Sequence, residues 1–397
     1  MQFDLANPPQ GFRDDPFPVY AGLLSRTPVL RQTDGSFLIS RHADLDRIYR
    51  DTGLFSSDKT RVFAPVFGRE SPLYAHHTTS LVFNDPPLHT RVRRIMTSAL
   101  TPRAIARMEP GLIVAVDALL GAMAGRNEVD LIEDFAAAIP IQIIGNLLDV
   151  PVGERGPLRD WSLAILGALE PALSKAELAR GNRAVEEFLG YLRDLVARRR
   201  AAPGDPETDV LTRLIQGTPE GEQLSEAELL HNCIFILNAG HETTTNLIGN
   251  TLALLHDHPQ ARDHLLEHPE AMAGAIEESL RYLSPNQFGN RETRADVEIG
   301  GVEIAAGTNL HLCIGAANRD PEMFDDPDHF DITRKPNRHL AFAGGPHVCV
   351  GLSLARLEGR IAVSRLLARH PGYTISPGRV PGGRIRFRGY ASLPARL

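Results

Sequence analysis

Residues 225–256 limit most strongly what this chain can become. Ser225-Glu226-Ala227-Glu228 has the Ser-x-x-Glu form of a capping box, in which serine and glutamate side chains satisfy each other's backbone N–H groups at a helix start. No proline follows until Asp257-His258-Pro259. The spacing therefore predicts one helix of about 30 residues, a rod of roughly 45 Å that crosses a whole domain. Its middle, Ile234, Phe235, Ile236, Leu237 and Ala239, is apolar on most sides. A helix apolar all round is a buried one.

The remaining chain supplies a shell for that rod. With 397 residues, 43% of them hydrophobic and 23% charged, there is ample material for a large core. Helical periodicity also marks segments near 103–123, 135–148, 157–172, 176–199, 208–216 and 269–282, and a last helix from near Val350 to about Arg369. A short helix is expected at 16–24, and strand-like runs at 37–40, 297–304 and 309–314. Residues 55–87 read as irregular. No Gly/Ser-rich linker, low-complexity tract or repeat divides the chain, so the expectation is a single domain over residues 1–397, mainly α with small β-sheets.

Charge and cysteine usage exclude several classes. A net charge of −7 argues against a nucleic-acid partner. Residues 1–9 lack a basic start and an apolar run, and no stretch approaches the roughly 20 apolar residues a membrane span needs, so a cytoplasmic protein without membrane attachment is expected. Cys233, Cys313 and Cys349 lie far apart and form no CxxC pair, which suits neither a disulfide framework nor a zinc site. Cys233 and Cys313 fall in apolar runs and are expected to pack as small hydrophobes.

Cys349 has different surroundings. Phe342-Ala343-Gly344-Gly345-Pro346-His347-Val348-Cys349-Val350-Gly351 puts it at the mouth of a helix, where unpaired N–H groups and the positive helix end favour a thiolate. The glycines permit tight turns and close approach to a flat ligand. By itself, a cysteine beside a glycine turn reads equally well as a buried structural residue. Three more patterns accompany it. Glu278 and Arg281 stand three apart on one helix face, where they can pair. His89 and Arg93, four apart in Asp85-Pro86-Pro87-Leu88-His89-Thr90-Arg91-Val92-Arg93, put two groups suited to a ligand carboxylate on one face. Ala239-Gly240-His241-Glu242-Thr243 interrupts the long helix with a glycine that costs about 1 kcal/mol against alanine. Such violations deep in a core often mark function, although Thr243, Thr244 and Thr245 also have the option of bonding back to earlier carbonyls.

The pattern Phe-x-x-Gly-x-x-x-Cys-x-Gly at 342–351 resembles the signature of the cytochrome P450 family, the haem-thiolate monooxygenases, and the other three patterns stand in that family's order between Asp85 and Gly351. The resemblance implies a soluble bacterial type with a P450-like fold, its long helix lying over haem b (iron protoporphyrin IX) with the Cys349 thiolate as axial ligand. Phe342 and Gly351 would shape the cysteine loop, and His89, Arg93, Arg291 and His347 would bind the haem propionates. Glu278 and Arg281 would be a structural pair. The family's third member, an arginine in Pro-x-Arg-Phe, is replaced in Pro327-Asp328-His329-Phe330, which passes that role to His329. Gly240 would leave space for dioxygen, with Glu242 and Thr243 managing proton delivery.

No flavin or nicotinamide domain fits this length, so the resemblance implies electrons from a ferredoxin and its reductase, docked on Arg91, Arg94, Arg103, Arg356 and Arg360 of a monomer. Expected pocket residues are Phe63, Val66, Phe67, Tyr74, Leu237, Asn238, Gln287 and Phe288, which fit a small, largely apolar or aromatic substrate. Arg61, Arg69, His76 and His77 offer anchors for a carboxylate, and residues 316–320 and 330–334 look similar to relatives that oxidise aromatic acids such as benzoates. A peroxide-driven peroxygenase, a nitric oxide reductase and a non-catalytic haem sensor or carrier remain open at this level.

Overall fold

The computed structural model describes residues 3–206, 209–218 and 220–397. Its long helix forms where the cap predicts, as Glu226–Asp257, 32 residues. Both halves of the capping box are present, with the Ser225 hydroxyl accepting from the Glu228 N–H and the Glu228 carboxylate accepting from the Ser225 N–H. His258 ends it, and Pro259 opens the next helix, Pro259–Glu267.

Helices Ala138–Leu147, Leu158–Gly167, Lys175–Ala201, Met272–Tyr282 and Leu352–Arg369 pack around this rod, and their apolar faces merge into the main core. The cysteine-side helix Leu352–Arg369 approaches through Gly359, where an added Cβ would lie 3.3 Å from a Leu247 methyl and 3.2 Å from one of Ile276. An added methyl would require the Leu247 and Ile276 side chains to give way by a few tenths of an ångström.

Several boundaries differ from expectation for local reasons. Residues 55–87 are not irregular: they hold helices Thr60–Phe67 and Pro72–Thr79 and a 3-10 turn at Leu81–Phe83. Pro65 inside the first disguises it, while Ser71, accepting from the Tyr74 N–H ahead of Pro72, is an N-cap that was there to be read. The final helix starts at Leu352 rather than Val350, with Gly351 as its N-cap residue. Segment 135–148 begins with a wide π turn, Leu131–Ala136, before Ala138–Leu147.

Beside the helical body, a five-stranded sheet runs in the order Val29–Arg31, Phe37–Ile39, Asn309–Cys313, Phe288–Thr293, Phe55–Ser56. Only the pairing of Phe37–Ile39 with Asn309–Cys313 is parallel. The sheet packs on helix His42–Arg50 through Leu45, Ile48 and Tyr49, and strand Phe288–Thr293 carries Arg291 toward the site. A hairpin, Val297–Ile299 with Val302–Ile304, and two small sheets that include Tyr390–Ser392 and Pro394–Arg396 complete the fold. No helix among the described residues is long and apolar enough to cross a membrane.

Glu278 and Arg281 form a fully buried pair, 0% exposed on both sides, with nitrogen–oxygen distances of 2.7 and 2.8 Å. Arg281 also donates to the carbonyls of Asn318, Pro327 and His329. The third charged partner is not His329, whose side chain is 65% exposed and faces Asp326. Arg334 fills that place, 3.4 Å from the Glu278 carboxylate, which also accepts from Asn337 and from the Asp331 N–H. A buried carboxylate needs several converging donors, and one exposed imidazole cannot supply them. Cys233 and Cys313 are buried free thiols, as their apolar neighbours imply.

Candidate active site

The loop before Leu352–Arg369 is fixed by its own backbone. The Cys349 N–H donates to the Phe342 carbonyl at 3.0 Å and the Val348 N–H to that of Gly345 at 3.1 Å. Gly345 has φ +63°, and a Cβ there would lie 2.3 Å from the Tyr49 carbonyl oxygen, so only glycine fits. Cys349 is half-buried. Burial pushes its thiol pKa up, against the Gly351 N–H and the charges of Arg93 and Arg356. Contrary to the expectation from the sequence, the helix end alone does not secure a thiolate; a metal cation in front of the sulfur would.

Cys349 borders a cavity of about 340 Å³ that also meets the central helix at Asn238, Ala239, Gly240, Thr243 and Thr244. His89, Arg93, Arg291, Phe342, His347 and Gly351 border the same space. The His89 and His347 rings stack with centroids 3.8 Å apart. Among the described residues neither His89 nitrogen has a hydrogen-bond partner, although the residue is 2% exposed, and the same holds for His347 Nε2 and Arg291 Nε. Burial, then the neighbouring Arg93 and Arg291, lowers the His89 pKa to about 4; burial, then Arg291, His89 and Arg93, lowers that of His347 to about 2. The carboxylate nearest in effect, Asp85, is engaged by Ser56, the Ser57 N–H and Arg294. Four basic side chains with unused donors and no anion of their own fit a ligand with carboxylates at its edge. Haem, with two propionates and an iron that takes one axial sulfur, fits this donor set.

On the central helix, the Thr243 hydroxyl donates to the Ala239 carbonyl at 2.6 Å, the back-bond open to it from the start. An added Cβ at Gly240 would lie 2.6 Å from the Ile144 Cδ1. Glu242 does not border the cavity: both its oxygens lie 2.6 Å from Arg384 Nη1. Burial raises its pKa to about 7 and Glu170 adds to this, while Arg384 opposes it.

The expected substrate pocket needs correction. Asn238 and Phe288 border the cavity, as do His76 and His77. Leu237 points into the core on another face of its helix. Gln287 is held by the Tyr20 hydroxyl and the Ser284 carbonyl. Phe63 and Phe67 pack 5.6 and 5.4 Å from the His77 ring without reaching the cavity themselves, and Tyr74 does not border it either. Val66 is 46% exposed. Arg61 is an exposed partner of Glu292 and Arg69 lies at the surface, so neither faces the cavity. The walls that sequence reasoning missed include Leu166, Leu169, Arg386 and Phe387. The alternation Arg384-Ile385-Arg386-Phe387-Arg388 was a signal for a half-buried extended segment there.

Comparisons with known proteins agree with this geometry. The family described as Cytochrome P450 matches residues 168–371. Cytochrome P450 107B1 of Saccharopolyspora erythraea is 42% identical over 320 residues, 79% of this chain and 76% of that protein. The vitamin D(3) 25-hydroxylase of Pseudonocardia autotrophica is 38% identical over 372 residues, 92% of this chain and 89% of that one. A crystal structure of P450BioI in complex with hexadec-9Z-enoic acid ligated acyl carrier protein superimposes with a TM-score of 0.91 at 32% identity, over 97% of this chain and 99% of that one. With the cysteine loop, the basic quartet and the Gly240–Thr243 turn of the long helix meeting in one cavity, the chain belongs to the cytochrome P450 family and is a haem-thiolate monooxygenase.

Proposed function

We propose that this enzyme inserts one atom of dioxygen into a small, largely apolar or aromatic substrate, with a ferredoxin and its reductase as electron donors. The observation that carries the reading is the shared cavity of Cys349, the quartet His89, Arg93, Arg291 and His347, and the Gly240–Thr243 turn. When bound, haem held by the Cys349 thiolate would supply the oxygen-activating chemistry.

The chain's own residues orient, neutralise and deliver protons. Arg93 and Arg291 balance two propionate charges, and the neutral imidazoles of His89 and His347 add donors. Thr243 keeps its hydroxyl at the cavity edge through its bond to Ala239. Glu242, titrating near neutrality, holds or releases a proton under ordinary conditions. A swing of its carboxyl from Arg384 toward Thr243 would connect solvent-side donors to the cavity.

The apolar walls Leu166, Leu169, Phe288 and Phe387 support the substrate class. For redox docking, Arg91, Arg94 and Arg356 are already paired with Glu228, Glu222 and Glu277, whereas Arg103 and Arg360 are exposed with no ion pair among the described residues. A monomeric, single-domain protein working in the cytoplasm belongs to the same proposal; buried free Cys233 and Cys313 suit a reducing compartment.

The test is the reduced, carbon-monoxide-bound absorption spectrum, followed by product analysis under labelled dioxygen with a ferredoxin, its reductase and NADH. A strongly red-shifted band and label in the product are expected. Persistence of that band in Cys349→Ser would end the reading.

A further inference from the structure

Three arginines border the cavity. Arg93 and Arg291 stand with His89 and His347, but Arg386 is held differently. Its Nε donates to the Leu169 carbonyl at 3.0 Å and its Nη1 to the Phe288 carbonyl at 2.9 Å. Both acceptors are neutral. Nη2 has no hydrogen bond among the described residues, and no carboxylate there lies within ion-pair distance of the guanidinium. Glu170, the nearest carboxylate in effect, uses its two oxygens on the N–H groups of Ile385 and Arg386 at 2.9 and 3.1 Å.

A buried guanidinium without a paired anion is costly, and its two carbonyl bonds leave the Nη2 hydrogens unused in a residue that borders the cavity. Apolar side chains form one side: Leu169 and Phe288 hold the group, Phe387 follows it, and Leu166 stands one turn before Leu169, while the Tyr49 phenol, Lys59 and His311 lie within electrostatic reach. His77 is close enough for the Arg386 charge to lower its pKa, and burial keeps that ring neutral. Asn238 also borders the cavity, 2% exposed, with neither amide atom bonded. One fixed positive charge beside an apolar wall, with neutral donors nearby, is the complement of an organic acid with an apolar body.

We propose that Arg386 is a specificity-determining residue that holds the carboxylate of an acidic substrate, taking the role the sequence had suggested for Arg61 and Arg69. The proposal rests on the monooxygenase reading and narrows its substrate class. A carboxylate at Arg386 has two sources, a substrate or a haem propionate; the propionates already have four basic partners, and because Arg291 and Arg386 both act on Tyr49, haem content is read alongside substrate binding.

The experiment uses the holoenzyme and reads binding rather than turnover. Spin-state titrations are run with dodecanoate, 4-methoxybenzoate and the methyl ester of each, on wild type, Arg386→Gln and Arg386→Lys. Wild type should bind at least one acid tenfold or more tighter than its ester. Arg386→Gln should erase that preference with ester affinity and haem content unchanged, and Arg386→Lys should keep part of it. Equal affinity for acid and ester in wild type, no shift with either acid, or a preference that survives Arg386→Gln would overturn the proposal. Loss of haem from Arg386→Gln would do the same by assigning the residue to a propionate. A wild-type protein without the red-shifted carbonyl band would instead sink the haem-thiolate reading, so the two failures stay distinguishable.

Discussion

The imidazoles of His89 and His347 lie stacked at an interplanar angle of 24°, although one comes from the helix Leu88–Ala99 and the other from the loop before the cysteine. Arg93 ties the same two elements together by donating to the Val348 carbonyl at 2.7 Å. The proposed propionate site thus doubles as a clasp between helix and loop. His89→Ala and Arg291→Leu should each weaken haem retention by roughly tenfold or more, since a hydrogen bond to a charged group contributes about 1.5–3 kcal/mol. Haem transfer to apomyoglobin, timed against wild type, measures it; unchanged transfer rates would remove these residues from propionate binding.

The stacked rings also make a signed statement about acid. Both pKa values lie below the ordinary histidine value of 6.5, so without haem the folded state binds fewer protons than the unfolded chain. The pair's contribution to apoprotein stability should be complete above pH 6.5 and fall as the pH drops toward 4. His347→Gln should flatten that fall. Urea denaturation of the apoprotein at pH 7 and pH 5 checks it, and an equal pH response in wild type and variant would refute it.

Glu278 and Arg281 predict a different kind of damage. Removing one partner of a buried ion pair leaves the other uncompensated, at about 3–5 kcal/mol. Arg281→Ala should give little folded protein, Arg334→Ala a milder loss, and His329→Ala none, because His329 contributes only its carbonyl to Arg281. Thermal midpoints of the three variants order the contributions. A loss at His329→Ala as large as at Arg334→Ala would restore the histidine to the role read from the sequence.

That correction marks where sequence reading stops. The Ser225 cap, the rod after it and the cysteine loop were legible because each is a local pattern whose physics acts within a few residues. Glu278 with Arg281 was legible for the same reason. Which later residue completes that pair depends on the path of a loop, and Arg334 reaches Glu278 from a position no spacing rule singles out. Arg61 and Arg386 tell the same story at the cavity. Both are arginines in short apolar surroundings, yet only the fold turns one outward to Glu292 and the other inward beside Phe288.

The Glu242–Arg384 pair predicts a pH shift in catalysis. Arg384 is the main influence holding the Glu242 pKa down to about 7 against burial. Arg384→Gln should raise it further, by roughly one unit or more for loss of an adjacent opposite charge. The limb of the coupling–pH profile that requires ionised Glu242 should move up by the same amount. Thr243→Ala should divert electrons into hydrogen peroxide at every pH. Peroxide formed per NADH consumed, measured from pH 6 to 9, separates the two effects; superimposable profiles for wild type and Arg384→Gln would detach Glu242 from proton delivery.

Glu358, on the helix that follows Cys349, is 2% exposed and its Oε2 has no hydrogen-bond partner among the described residues. Burial alone raises its pKa from 4.5 to about 8. The folded protein therefore keeps a proton that the unfolded chain releases, so this group's stabilising contribution is complete below pH 4.5 and is lost as the pH rises through 8. Over that window the slope approaches about 1.4 kcal/mol per pH unit for one proton. Glu358→Gln retains the neutral shape and removes the titration, so the variant should match wild type near pH 5 and surpass it at pH 8. Glu242 titrates with the same sign in both proteins and cancels in the difference. Chemical denaturation at the two pH values reads the result. A variant no more stable than wild type at pH 8 would mean that Glu358 is ionised in the folded protein and has found a cation to pair with.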